Sequence, residues 1–190
     1  LSTARYQPSP AWNDSLTSAN IFPNNASHHW SFDEESGTSV SDPVGSANIS
    51  ISGFNISDVN RSDWGLKGRA LYLDGDDNIS IGTMSTGSFS IWLNPDSNFT
   101  LEIGDQGLSY INDGTTKTWS LDSASISKSS TLGYSWIHLG IVSDVNTTLY
   151  FDGQSVSINP ALTLGSIKTG NFKGWIDETH IFSDALTAAE

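Results

Sequence analysis

The chain has 190 residues, with 21 Asp and Glu against 8 Lys and Arg, and a net charge of −13. Nucleic-acid binding demands a basic footprint and anionic membranes attract polybasic segments, so the charge excludes both as partners. There is no cysteine, which removes disulfide frames and zinc–thiolate sites, and no apolar run long enough for direct membrane insertion.

Residues 1–27 are polar and irregular, with Pro8, Pro10 and Pro23, and read as an N-terminal arm or linker. From residue 28 to 190 strand signals dominate, and a length of this order suits one all-β domain. ANISIS (47–52) alternates, with Ile49 and Ile51 on one face and Asn48, Ser50 and Ser52 on the other. ALYLD (70–74) and NISIG (78–82) flank DGDD, which predicts a hairpin. SFSIWL (88–93) points Phe89, Ile91 and Leu93 one way and Trp92 the other. YSWIHLGIV (134–142) is apolar on both faces, as in a central strand. TTLYFDGQSVSI (147–158) reads as a hairpin about Asp152-Gly153, and FKGWIDETHIF (172–182) as the last strand. Helical pattern is confined to LTAAE, where Thr187 and Glu190 make a capping box with no helix after it, as expected of a chain cut from a longer one. The Asp excess, sixteen against five Glu, fits turn-rich β structure with acidic loops.

Asn-x-Ser/Thr occurs eight times, at Asn13, Asn25, Asn48, Asn55, Asn60, Asn78, Asn98 and Asn146, never with Pro in the middle. With Ser and Thr this abundant, chance alone gives about three or four. The excess predicts N-glycosylation, with Asn48 and Asn78 on the outward phase of their strands, where a glycan leaves the core undisturbed. No signal peptide opens the chain, so an exported protein is met here in mature or excised form.

Six segments in this order resemble the laminin G-like branch of the concanavalin A-like lectin/glucanase superfamily: HWSFDEESGTSVSD (29–42), GLKGRALYLDGDDNISIG (65–82), SFSIWLNPDS (88–97), YSWIHLGIVSD (134–144), TTLYFDGQSV (147–156) and FKGWIDETHIFSDALTAAE (172–190). The resemblance covers residues 28–190 and implies an all-β, two-sheet antiparallel jelly-roll β-sandwich. It also implies an extracellular setting, with carbohydrate or protein at the cell surface as the partner. Relatives of this fold hold one structural calcium where the first and last strands meet, and Asp33 and Asp177 match those positions. The acidic ligand loop of the pentraxins has no counterpart, because LGSIKTGNFKG (164–174) contains no acid.

No catalytic residues are expected. Retaining glycosidases need two carboxyls about 5 Å apart. Here Glu34 and Glu35 are adjacent and so face opposite ways on a strand, and E-x-D-x-E is absent. His138 and His180 fall within strands, with no nucleophile elbow nearby. Four His without HExxH spacing do not spell a transition-metal site. Asp74, Asp76 and Asn78 echo the start of an EF-type calcium loop, but Ile79 replaces its required Gly. Trp64 and Trp119, beside Gly- or Thr-rich segments, are the candidate ligand-binding platforms on which a sugar ring could stack. The sequence therefore reads as a non-catalytic extracellular recognition or adhesion module, N-glycosylated and part of a larger surface protein. The competing reading is a self-assembling structural subunit of a glycosylated surface layer, filament or virion, archaeal or viral.

Overall fold

A computed structural model describes residues 26–53, 61–62, 65–83, 87–104, 106–121, 124–129, 136–158 and 166–186. Of the arm only Ala26 and Ser27, at the start of the first strand, are described, and the capping box Thr187–Glu190 lies outside these residues. The described strands, in chain order, are β1 (Ala26–Trp30), β2 (Ser39–Val40), β3 (Ile49–Ser52), β4 (Arg61–Ser62), β5 (Ala70–Asp74), β6 (Asn78–Thr83), β7 (Gly87–Pro95) and β8 (Phe99–Ile103). There follow β9 (Gln106–Asn112), β10 (Thr116–Leu121), β11 (Ala124–Ser129), β12 (Ile137–Ser143), β13 (Thr147–Phe151), β14 (Gln154–Ile158), β15 (Ser166–Lys168) and β16 (Lys173–Phe182).

They make two antiparallel eight-stranded sheets. The first runs β14-β13-β12-β7-β16-β5-β4, with β1 also on β16; the second runs β11-β10-β9-β8-β15-β6-β3-β2. The period-two pattern explains the stacking. Phe89, Ile91 and Leu93 of β7, Ile137, Leu139 and Ile141 of β12, and Leu71 and Leu73 of β5 turn inward from the first sheet. They meet Ile49, Ile51, Ile79, Ile81, Phe99 and Leu101 of the second in one continuous core. Each such side chain contributes roughly 1.5–3 kcal/mol relative to its exposed state. Trp92 takes the opposite phase and is half-buried on the outer face, as its position in SFSIWL predicts.

Two sequence expectations are revised. DGDD does not close a hairpin. β5 pairs with β16 and β4 in the first sheet, whereas β6 pairs with β15 and β3 in the second. The Asp-Gly-rich loop is a crossing between sheets, folded on itself by Asp76 N donating to Asp74 Oδ1 and Asp74 N to Asp77 Oδ2. Turn residues bend the chain but do not choose the partner strand. The segment 99–129, assigned no strands from sequence, forms the meander β8-β9-β10-β11. The predicted hairpin at Asp152-Gly153 does form; both residues have positive φ, 45° and 81°, as a tight two-residue β-turn requires.

β16 is the spine that positions the site. One edge pairs with β7 along its length. The other pairs first with β5, over Lys173–Ile176, and then with β1, over Thr179–Phe182. Between these partners the register with β7 shifts, between Asp177 and His180, and Glu178 takes a positive φ of 44°. A non-glycine residue in that region is strained, and a β-bulge is where such strain is commonly held. β1 is fixed to the following loop by Asp42. Its carboxylate accepts backbone N–H groups from His29, Val44, Gly45 and Ala47 and the His28 ring Nδ1 at 2.7 Å.

Candidate functional site

The side chains singled out by sequence fall in different places. Trp119 is fully buried, packed against Phe99, Tyr110 and Phe151, and is not the exposed platform expected. In TKTWSL it shares the inward phase with Leu121, and alternation decides its burial more strongly than its Thr and Ser neighbours. Trp64 lies outside the described residues, as do Asn13, Asn25, Asn55 and Asn60. Asn48, Asn98 and Asn146 are exposed and Asn78 is half-buried. Asn48 and Asn98 use their side-chain oxygens to accept from Asp42 N and Asn112 N, which leaves each amide nitrogen as the atom a glycan would modify. Asn48 also lines an open cleft of about 450 Å³ together with His28, Trp30, Ser50, Ser80 and Ser166.

Asp33 and Asp177 are brought to one loop, residues 67–69. The exposed Asp33 accepts the Arg69 N–H at 2.7 Å, closely enough to Gly68 that only a residue without a side chain fits there. The wholly buried Asp177 accepts the Lys67 N–H at 3.0 Å and its own neighbour's, Glu178 N, at 2.8 Å. Asp177 thus pins the loop to the bulge, and Asp33 pins it to the segment after β1, both through backbone amides. Burial, reinforced by the nearby Glu178 and Asp33 charges, pushes the Asp177 carboxyl up to about 8, against the two amide bonds.

The outer face of the first sheet carries ordered rows of side chains, because residues paired in register share a face. One row is Tyr72, Trp175 and Asn94, all half-buried. The Tyr72 and Trp175 rings lie 5.0 Å apart, and the Tyr72 hydroxyl donates to Asp96 at 2.9 Å. The next row contains Asp177, Trp92 and His138, with the Trp92 and His138 rings 4.8 Å apart. A third contains His29, His180, Ser90, Gly140 and Tyr150. Ser90 Oγ and His138 Nε2 are 2.8 Å apart, and burial holds the His138 ring below its ordinary pKa.

At the bulge, Glu178 is fully buried; its Oε2 stands 2.8 Å from His29 Nε2 and 4.0 Å from His180 Nε2. The His29 and His180 rings stack, 4.2 Å apart and within 9° of parallel. Burial, aided by the His29 and Lys67 charges, drives His180 down to about 3, so the ring is neutral at physiological pH. Sequence reasoning missed this group. Spacing of the kind that marks helical metal sites is absent, and His29 lies 149 residues from Glu178.

Glu102 lies exposed on β8 of the second sheet, paired to Lys168, and Glu35 is an exposed partner of Arg69. Glu34 accepts the Ser41 N–H, and Ser90 sits within β7 rather than on a turn. Glu34, Glu35 and Glu102 are thus each held in a loop or surface contact.

No protein-family profile matches the chain, and a search of the curated proteins finds no match. Solved structures do match. Domain 4 of AbnA, an extracellular arabinanase of Geobacillus stearothermophilus solved with arabinotriose, superposes with a TM-score of 0.59 at 21% identity, over 87% of this chain and 95% of that one. What is shared is the fold. The binding domain of botulinum neurotoxin DC, solved with SialylT, gives a TM-score of 0.57 at 13% identity, over 87% of this chain and 49% of the other. Trypanosoma rangeli sialidase gives 0.59 at 13%, over 85% and 31%. The chain thus spans nearly all of the arabinanase domain, about half of the neurotoxin domain and under a third of the sialidase. The likeness is one of fold, a two-sheet β-sandwich, and does not single out the laminin G-like branch.

Proposed function

We propose that this chain is a non-catalytic extracellular recognition module that binds carbohydrate through the outer face of its first sheet. The observation that carries this is the pairing of half-buried aromatic rings with polar groups there. Tyr72–Trp175 and Trp92–His138 present flat apolar surfaces with Asn94, Asp96 and Ser90 between or beside them. Few, convergent polar groups on an apolar lining are what small-ligand sites use to orient what they bind, and Trp and Tyr combine apolar area with a polar handle. The arabinotriose bound to the AbnA domain and the SialylT bound to the neurotoxin domain support saccharides as the ligand class. Array screening should therefore retain the protein on a subset of glycans. Trp175→Ala and Trp92→Ala should each weaken that binding by at least about tenfold, the loss expected when one stacking surface goes. Binding that both variants keep, or no retained glycan at all, removes this face as the site.

The module is also proposed to be N-glycosylated within a larger surface protein. Exposure of Asn48, Asn98 and Asn146 supports this, and it equally favours the second reading, a glycan-coated scaffold subunit of a layer, filament or virion. Mass spectrometry of material from the native host decides occupancy; unmodified asparagine at all three positions removes that support. A structural calcium at Asp33 and Asp177 is proposed from the convergence of both acids on loop 67–69. Metal analysis and melting with and without chelator read it, an unchanged Tm being the contrary result.

A further inference from the structure

We propose that His29, Glu178 and His180 form a three-ligand site for a divalent transition-metal ion of the zinc class, stapling β1 to β16 at the bulge. The three offer one ligand atom each, all within 4.8 Å of one another. Two imidazoles and a carboxylate suit zinc-class ions, whereas calcium takes oxygen ligands only.

The backbone sets the group up. His29 and His180 are direct cross-strand partners, which stacks their rings on one face. In an unbroken strand Glu178 and His180 would share a face by alternation but stand apart along it; the positive φ of Glu178 and the register shift bring the carboxylate back onto the edges of both rings. His180 is already oriented as a ligand. Its Nδ1 lies 3.3 Å from the Glu178 carbonyl oxygen, which can only accept, so Nδ1 carries the proton and the lone pair is on Nε2, facing the carboxylate. This backbone bond is the outer-shell contact that commonly fixes the tautomer of a metal-binding His.

Glu178 supplies the observation that points to an ion rather than a hydrogen-bonded trio. Its Oε1 is buried with no hydrogen-bond partner, although buried carboxylate oxygens are nearly always satisfied. The Lys67 ammonium is 3.7 Å from Oε1, beyond hydrogen-bond length, on a side chain that is half exposed. His29 donates its Nε2 proton to Glu178 Oε2; on binding, that proton moves to Nδ1 or to solvent. Metal bonds of about 2.0–2.1 Å then require shifts of no more than about an ångström. His29, with 22% of its side chain exposed, is the entry side.

The test uses the whole chain, stripped with chelator and desalted, then titrated with Zn²⁺ alone and, separately, with Ca²⁺ alone. Zn²⁺ should bind saturably at one ion per chain and raise the Tm, and Ca²⁺ should not compete for that site. His29→Ala and His180→Ala should each weaken Zn²⁺ binding by at least about tenfold, whereas Asp74→Asn, in the acidic loop between sheets, should leave it unchanged. If His180→Ala does not fold, the partly exposed His29→Ala carries the result, with Co²⁺ absorption reporting nitrogen ligation. The site is overturned if the native chain shows no saturable Zn²⁺ binding, or if His29→Ala binds as tightly as the native chain.

Discussion

Asp42→Ala is expected to cost about 3–5 kcal/mol of stability, within the range of losses seen when a buried charged hydrogen-bond centre is removed. The carboxylate accepts from four backbone amides, His29, Val44, Gly45 and Ala47, at 2.8–3.1 Å, and it also holds the His28 ring. Its side chain has no exposure, so water does not compete for the carboxylate while it holds these amides. Asp42→Asn keeps one acceptor oxygen but turns an NH₂ toward a donor, and should fall between. Burial by itself raises the Asp42 pKa. The bonds from Gly45, His28, His29 and Ala47 more than offset it and hold the group far below the usual carboxylate range. A depressed folded-state pKa means that this stabilisation is complete above the unfolded value of 3.8 and is lost as pH falls below it. Urea denaturation at pH 7, 5 and 3 should therefore show the gap between native protein and Asp42→Asn holding from 7 to 5 and narrowing at 3. A constant gap, or an alanine variant within about 1 kcal/mol of native at pH 7, would show that this carboxylate does not anchor β1.

Trp119→Ala should also cost about 3–5 kcal/mol, the usual loss for an indole truncated in a core. Trp119 has no exposure and meets Tyr110 at 4.9 Å, Phe151 at 5.3 Å and Phe99 edge-on at 5.5 Å; Phe99 continues the cluster to Phe172 at 4.7 Å. The cluster joins the meander of the second sheet to β13 of the first, so a cavity there loosens contact between sheets. Trp119→Phe should cost much less than the volume lost would imply, because the indole Nε1 is buried without a hydrogen-bond partner and phenylalanine removes that penalty. Thermal melts order the three proteins as native, Phe, Ala. Glycan retention by the Phe variant should equal native, and a selective loss of binding in a stably folded Trp119→Phe protein would return this residue to the ligand site.

Alternation by itself determined which residues of ISIS, SFSIWL and TTLYF face the core, since a strand's two-residue period acts without knowledge of its partners. The Asp152-Gly153 turn was equally legible, because positive φ at both central residues is a local demand. The order of motifs carried the sandwich. Partner choice was beyond local signals: DGDD bends the chain in the same way whether the next strand pairs back or crosses to the other sheet. Trp119 shows the same limit: alternation gives it the phase of Leu121, but its neighbours are polar, and the first sheet packed over that face, with Phe151, makes the position interior. The bulge is the extreme case. Glu178 and His29 meet across 149 positions because β1 takes over the edge of β16 where β5 ends, and one left-handed residue re-aims a carboxylate. Sequence spacing records neither event; tertiary pairing alone brings the two histidines and the glutamate onto one face.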